Sequence, residues 1–72
     1  MSPEKLVYMA NQIGKFFAHK DEEAAVAGIA EHLQSFWEKR MLAEIYAYLD
    51  AGGAGLDERP KRALERLREA VK

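Results

Sequence analysis

Residues 29–41, IAEHLQSFWEKRM, decide how this chain folds. Ile29 and Leu33 lead into the adjacent Phe36 and Trp37, and Glu38, Lys39 and Arg40 follow before Met41. Each aromatic side chain covers roughly 150–250 Å², so in so short a chain this pair governs where the other helices pack. On a helical wheel Ala25, Val26, Ile29, Leu33 and Phe36 share one face, with Ala30 and Trp37 along its edge. Neither glycine nor proline interrupts residues 38–40, so local propensity would extend this helix. The apolar phase opposes that extension. Met41, Leu42, Ile45, Tyr48 and Leu49 fall on a face rotated by roughly a third of a turn. One straight helix cannot bury both stripes against one core. A helix over 21–37, a break between Trp37 and Met41, and a further helix over 39–51 are therefore predicted.

On the N-terminal side, Ser2 is placed to cap free amides and Pro3 to occupy the first helical position. Leu6, Ala10, Ile13 and Phe17 form a stripe, flanked by Met9 and Phe16, while Tyr8, Asn11, Gln12 and Lys15 lie off it. This predicts a helix over 3–18. Gly14 costs close to 1 kcal/mol relative to alanine in mid-helix. Its place beside the stripe points to close approach of another helix. His19 and Lys20 compensate the helix dipole, and Asp21 caps the next helix. Ala24 and Ala27 point away from the second stripe and Gly28 lies on its opposite flank.

On the C-terminal side, Gly52, Gly53 and Gly55 read as a turn. A phosphate-binding loop would need a strand before it, and none is suggested. Asp57 as cap, Leu56 as staple and Pro60 in the first turn start a fourth helix over 57–71. Its stripe of Leu64, Leu67 and Val71 is thin. This most charged helix is expected to be the weakest contributor to the core. The expected fold is all-α, a bundle of about four short helices forming a single domain over 1–72. Its expected core comprises Leu6, Ile13, Phe17, Ile29, Leu33, Phe36, Ile45 and Leu49.

A 72-residue chain lies near the lower size limit for a self-sufficient core, which rarely supplies more than about 3–5 kcal/mol. Cysteine is absent, which excludes disulfides and thiolate metal sites. The remaining staple is another polypeptide, either a second copy or a different protein. The net charge of −1, from 11 basic and 12 acidic residues, provides no large field for nucleic acid or anionic lipid. No apolar run approaches the roughly 18 residues of a membrane span. The N-terminus lacks a signal-peptide block. The expected location is the cytoplasm.

The residues that carry chemistry elsewhere are sparse here. His32 lies beside the apolar stripe within reach of Phe36, as a packed histidine or as an acid or base lacking a partner. His19 sits near a helix end, and its grouping with Asp21 and Glu22 is too loose for a metal site. Ser2 and Ser35 are the only serines, and threonine is absent. Catalytic, cofactor-binding and metal-ligating residues are therefore expected to be none. The basic series Arg59, Lys61, Arg62, Arg66 and Arg68 is interleaved with acids and lacks aromatics for stacking bases. Phe36, Trp37, Lys39 and Arg40 are the candidate partner-binding residues, because tryptophan and arginine are enriched at binding hot spots. The competing reading places Trp37 in the core and pairs Arg40 with an acid.

MANQIGKFF (9–17), IAEHLQSFW (29–37), Arg40 with Met41, and GGAGL (52–56) resemble the delta subunit of soluble NAD-dependent formate dehydrogenase. The likeness spans roughly residues 6–64 in the same order and spacing. It departs at Lys39, where the family pattern has proline before Arg-Met. The resemblance implies a non-catalytic accessory subunit, or an assembly or stability factor, of a cytoplasmic molybdenum- or tungsten-dependent enzyme. Other subunits would carry the pterin, iron–sulfur clusters, flavin and NAD site, and this chain would carry no cofactor. The implied partners are the other formate dehydrogenase subunits, first the large pterin-containing one, with a homodimer when isolated and with neither nucleic acid nor membrane. The alternative is a small helical regulator or adaptor binding another protein or nucleic acid.

Overall fold

The computed structural model describes residues 2–71 and contains four helices: α1 (Pro3–Phe16), α2 (Glu22–Phe36), α3 (Lys39–Asp50) and α4 (Glu58–Ala70). No strand occurs among the described residues. The all-α expectation holds, and the four helices share one apolar cluster.

Local chemistry sets most of the boundaries. Ser2 Oγ accepts from the Lys5 N–H at 3.3 Å, and Pro3 opens α1. Helix α1 ends two residues earlier than expected, at Phe16. The Ala18 N–H bonds the Lys15 carbonyl at 3.1 Å and the Lys20 N–H bonds that of Phe17 at 3.1 Å. The turn is also held from outside: Arg59 donates to the carbonyls of Ala18 (3.4 Å) and Lys20 (3.0 Å). A guanidinium from 39 residues away thus satisfies carbonyls that local sequence leaves open. Asp21 Oδ1 accepts from the Ala24 N–H at 2.9 Å and caps α2 as read from the sequence.

The predicted break is present. Trp37 (φ −86°, ψ 136°) and Glu38 (φ −70°, ψ 157°) are both extended, and α3 starts at Lys39. Two extended residues redirect the chain without proline, which answers the departure at Lys39. Helix α3 ends in a Schellman arrangement: the Gly52 N–H bonds the Leu49 carbonyl at 3.0 Å, and the Gly53 N–H reaches that of Tyr48 at 3.0 Å. Gly52 (φ 124°) and Gly53 (φ 64°) take the positive φ that only glycine adopts cheaply. The turn is then tied down by Tyr48 Oη, which donates to the Ala54 carbonyl at 2.7 Å. Asn11 of α1 donates to the Gly55 carbonyl at 3.0 Å and accepts from the Asp57 N–H at 2.9 Å.

Four expectations need correction. Phe36 lies in phase with Ile29 and Leu33, which are fully buried, yet it is 72% exposed. The chain turns immediately after it, and Trp37 enters the core instead, at 7% exposure. A core this small takes one of the two rings. Helix α4 is not the weakest contributor: its Pro60, Ala63, Leu64 and Leu67 are buried, and its contact with α2 is the most extensive between any two helices. Pro60 and Ala63 carry little apolar bulk in a wheel, but their small profiles let the helices approach. Val71, expected in its stripe, is exposed. Finally, the Asp57 side chain does not cap α4 but faces Lys15 Nζ at 3.6 Å. Ile13, Phe17 and Leu49 are half-buried against the core, while Leu6 and Ile45 are fully buried.

Gly14 is explained by Pro60. A Cβ built on Gly14 would stand 2.8 Å from the Pro60 Cγ and 3.0 Å from its Cδ. That ring is buried and rigid, so α1 and α4 would have to separate. Gly14→Ala gains close to 1 kcal/mol in helix propensity but incurs an overpacking loss of about 1–3 kcal/mol. A net fall in stability of about 1 kcal/mol is expected, read as a urea midpoint below that of the wild type. A stabilised variant would contradict this helix spacing. Gly28, read as lying on an outer flank, is covered by Phe17, whose ring would stand 2.6 Å from a Cβ there.

Candidate functional site

Burying Trp37 while leaving Phe36 outside creates the most distinctive surface of the molecule. Tyr8, Met9, Gln12 and Ile13 of α1 face His32 and Phe36 of α2, with Trp37 and Met41 completing the lining. They form an open, mainly apolar groove of about 540 Å³. The His32 imidazole rests on the Phe36 ring with centroids 4.7 Å apart and planes inclined by 36°. It therefore packs as a half-buried surface histidine. Gln12 Nε2 donates to Tyr8 Oη at 2.8 Å, so the polar rim of the α1 wall is internally satisfied. Tyr8 is 64% exposed and Phe16, on the same helix, is 75% exposed.

The four candidate residues occupy two environments. Phe36 and Trp37 both line the groove, one from the surface and the other from the core. Lys39 and Arg40 are exposed in the first turn of α3, between the lining residues Trp37 and Met41. Tyr8, Met9, Gln12, Ile13 and Met41 were not among the expected partner-binding residues. Tyr8 and Gln12 fall off the α1 stripe, and only the docking of α2 beside α1 makes them a wall. A signal was nevertheless present. Met9, Gln12 and Ile13 belong to one resemblance-bearing stretch, and His32, Phe36 and Trp37 belong to the other. The two stretches meet across the groove.

The basic series of α4 has a different role. Arg62 pairs with Glu22, and Arg66 with Glu23 at 3.0 Å, both tying α4 to the start of α2. Arg68 forks onto Asp50 at 2.8 and 3.4 Å and lies 5.8 Å from the Tyr46 ring. The Asp50 hydrogen bond raises the Arg68 pKa further, while burial raises that of Tyr46 against the opposing Arg68 charge. Lys61 donates to the Gly52 carbonyl at 3.4 Å, and Arg59 holds the α1–α2 turn. These exposed pairs are individually worth little. Their consequence is geometric: the series faces its own fold.

Among the described residues, no group of three His, Cys, Asp or Glu side chains is arranged to hold a metal ion. No helix among them is long and apolar enough to cross a membrane. Comparison with known proteins finds no matching curated protein and no matching solved structure. The family model of the NADH-dependent formate dehydrogenase delta subunit, FdsD, matches residues 5–64, from the first turn of α1 into α4 and through both walls of the groove. On that match the chain belongs to the formate dehydrogenase delta subunit family.

Proposed function

We propose that this chain is a non-catalytic subunit, or an assembly and stability factor, of a cytoplasmic NAD-dependent formate dehydrogenase, in which other subunits supply the cofactors and the chemistry. The observation that supports this reading is the meeting of the two family-resembling stretches across one exposed apolar groove. A 72-residue domain that leaves Phe16 and Phe36 outside gains stability when a partner covers such surface. Phe36, Trp37, Lys39 and Arg40 form the partner contact: Phe36 supplies exposed aromatic area, Trp37 supports it from below, and the two cations supply polar specificity. The large pterin-containing subunit is the first partner to test. Co-purification from the native host is expected to recover a formate dehydrogenase subunit, and deletion of the gene to lower enzyme assembly or stability. Failure of co-purification together with full activity after deletion would overturn this function.

The same reading predicts a separation of folding from binding. Arg40→Ala and Phe36→Ala are expected to leave the isolated domain's melting temperature nearly unchanged, because both side chains lie outside the core. Each is expected to weaken partner capture by at least about 2 kcal/mol, the usual threshold of a hot spot. Melting by circular dichroism and quantitative capture on the same sample check this. A lowered melting point with unchanged capture would assign the residues to structure alone.

A further inference from the structure

Two exposed cations adjoin the groove in sequence: Lys39 and Arg40, in the first turn of α3, lie along the chain between the lining residues Trp37 and Met41. Arg40 is the one arginine with neither a hydrogen bond nor an ion pair among the described residues; Arg59, Arg62, Arg66 and Arg68 all tie elements of this chain together. Lys39 likewise has no such partner there. Folding does not account for these two charges. They occupy the first turn of α3, behind an acidic N-cap residue, Glu38, whose side chain makes no hydrogen bond to the helix. Cations at that pole oppose the helix dipole. The apolar groove and the two unpaired cations beside it together call for an occupant that is apolar along its length and carries an anion.

We infer that the groove receives an amphipathic helix of a partner subunit, with an Asp or Glu placed to meet Arg40 and Lys39. This rests on the reading of the chain as a formate dehydrogenase subunit and adds the chemistry of what it grips. From Tyr8 to Ile13 the α1 wall rises by about 8 Å, one and a half helical turns. That length fits a pair of anchors at i and i+3 or i+4 of a helix laid in the groove. A second copy fits less well, because isologous pairing presents the same patch from both sides and the groove lining contains no acidic residue to meet Arg40 and Lys39.

The test uses the full chain co-expressed with the formate dehydrogenase subunits of its host. A photo-reactive phenylalanine is placed at Phe36 or Gln12 in the groove, and at the exposed Ala27 as a control. Cross-links from both groove positions are expected to map to one subunit segment with helical apolar spacing and an acidic residue within a turn of its anchors. Arg40→Glu is expected to lower retention of that subunit by more than about thirtyfold, beyond the hot-spot threshold set for Arg40→Ala. Arg40→Gln, which removes charge without reversing it, is expected to lower retention about tenfold. Exchange of the partner's acid for lysine should restore binding to Arg40→Glu. In the isolated domain, Arg40→Glu should raise the unfolding midpoint, since an anion then faces the α3 dipole. Cross-linking to a second copy, a captured segment without an acid, or unchanged retention in both Arg40 variants would overturn the inference. So would co-purified subunits that cross-link from Ala27 alone, while the subunit assignment would survive. Absence of any co-purifying formate dehydrogenase subunit would remove the assignment and this inference with it.

Discussion

Trp37→Ala is expected to leave the isolated domain largely unfolded at room temperature. Trp37 is the sole tryptophan, is 7% exposed, and belongs to the central apolar cluster. It is the C-cap residue of α2, in the extended break before α3, and its indole turns into the core. Removing a buried tryptophan costs about 3–5 kcal/mol, and a domain of this size has about 3–5 kcal/mol in total. Far-ultraviolet circular dichroism should show loss of most helical signal, and a urea titration of wild type should show one cooperative transition by Trp37 fluorescence. A Trp37→Ala variant melting within a few degrees of wild type would place the indole outside the core. Bound partner is expected to restore part of the fold by mass action. The same substitution is therefore predicted to be milder inside the assembled complex than in the isolated chain.

The second large effect concerns α4. Leu64 is fully buried, one of four buried residues of α4 with Pro60, Ala63 and Leu67, and α4 makes its most extensive contact with α2. Leu64→Ala is expected to destabilise the domain by about 2–5 kcal/mol. Val71→Ala, at an exposed position just beyond α4, is expected to change stability by less than about 0.5 kcal/mol. Urea midpoints of the two variants provide the comparison. If α4 were a peripheral charged helix, as its composition suggests, both changes would be small. A Leu64→Ala loss below that of an ordinary surface substitution would sink the α2–α4 interface described above.

The boundaries and the break were legible because they arise from short-range causes. Ser2 and Asp21 accept from amides three residues on, and the Gly52–Gly53 turn closes onto carbonyls within five residues. The change of apolar phase across residues 37–41 reports an incompatibility between two helical wheels, which needs no knowledge of the partner helix. The family resemblance was legible for the same reason, since it rests on residue order and spacing.

What only the tertiary structure decided is which side chains each helix actually turns to its neighbours. Phe36 and Trp37 are adjacent and equally apolar, and the contest for one core position is settled by the extended turn at Trp37. The α4 face looks thin in sequence because Pro60 and Ala63 have little bulk; in the fold both are buried, and Pro60 packs closely against Gly14 of α1. The turn after α1 is held by Arg59, which arrives from the first turn of α4 to bind the open carbonyls of Ala18 and Lys20. The groove itself has no counterpart in any single helix. Tyr8 and Gln12 are off-stripe on α1, and His32 and Phe36 end α2. They become facing walls only when Phe17 packs over Gly28 and sets the two helices side by side. Sequence alone determined where the helices start and where the chain breaks, because those choices are made among neighbours along the chain. The identity of the exposed surface was decided in three dimensions, because it is whatever the packed helices leave uncovered.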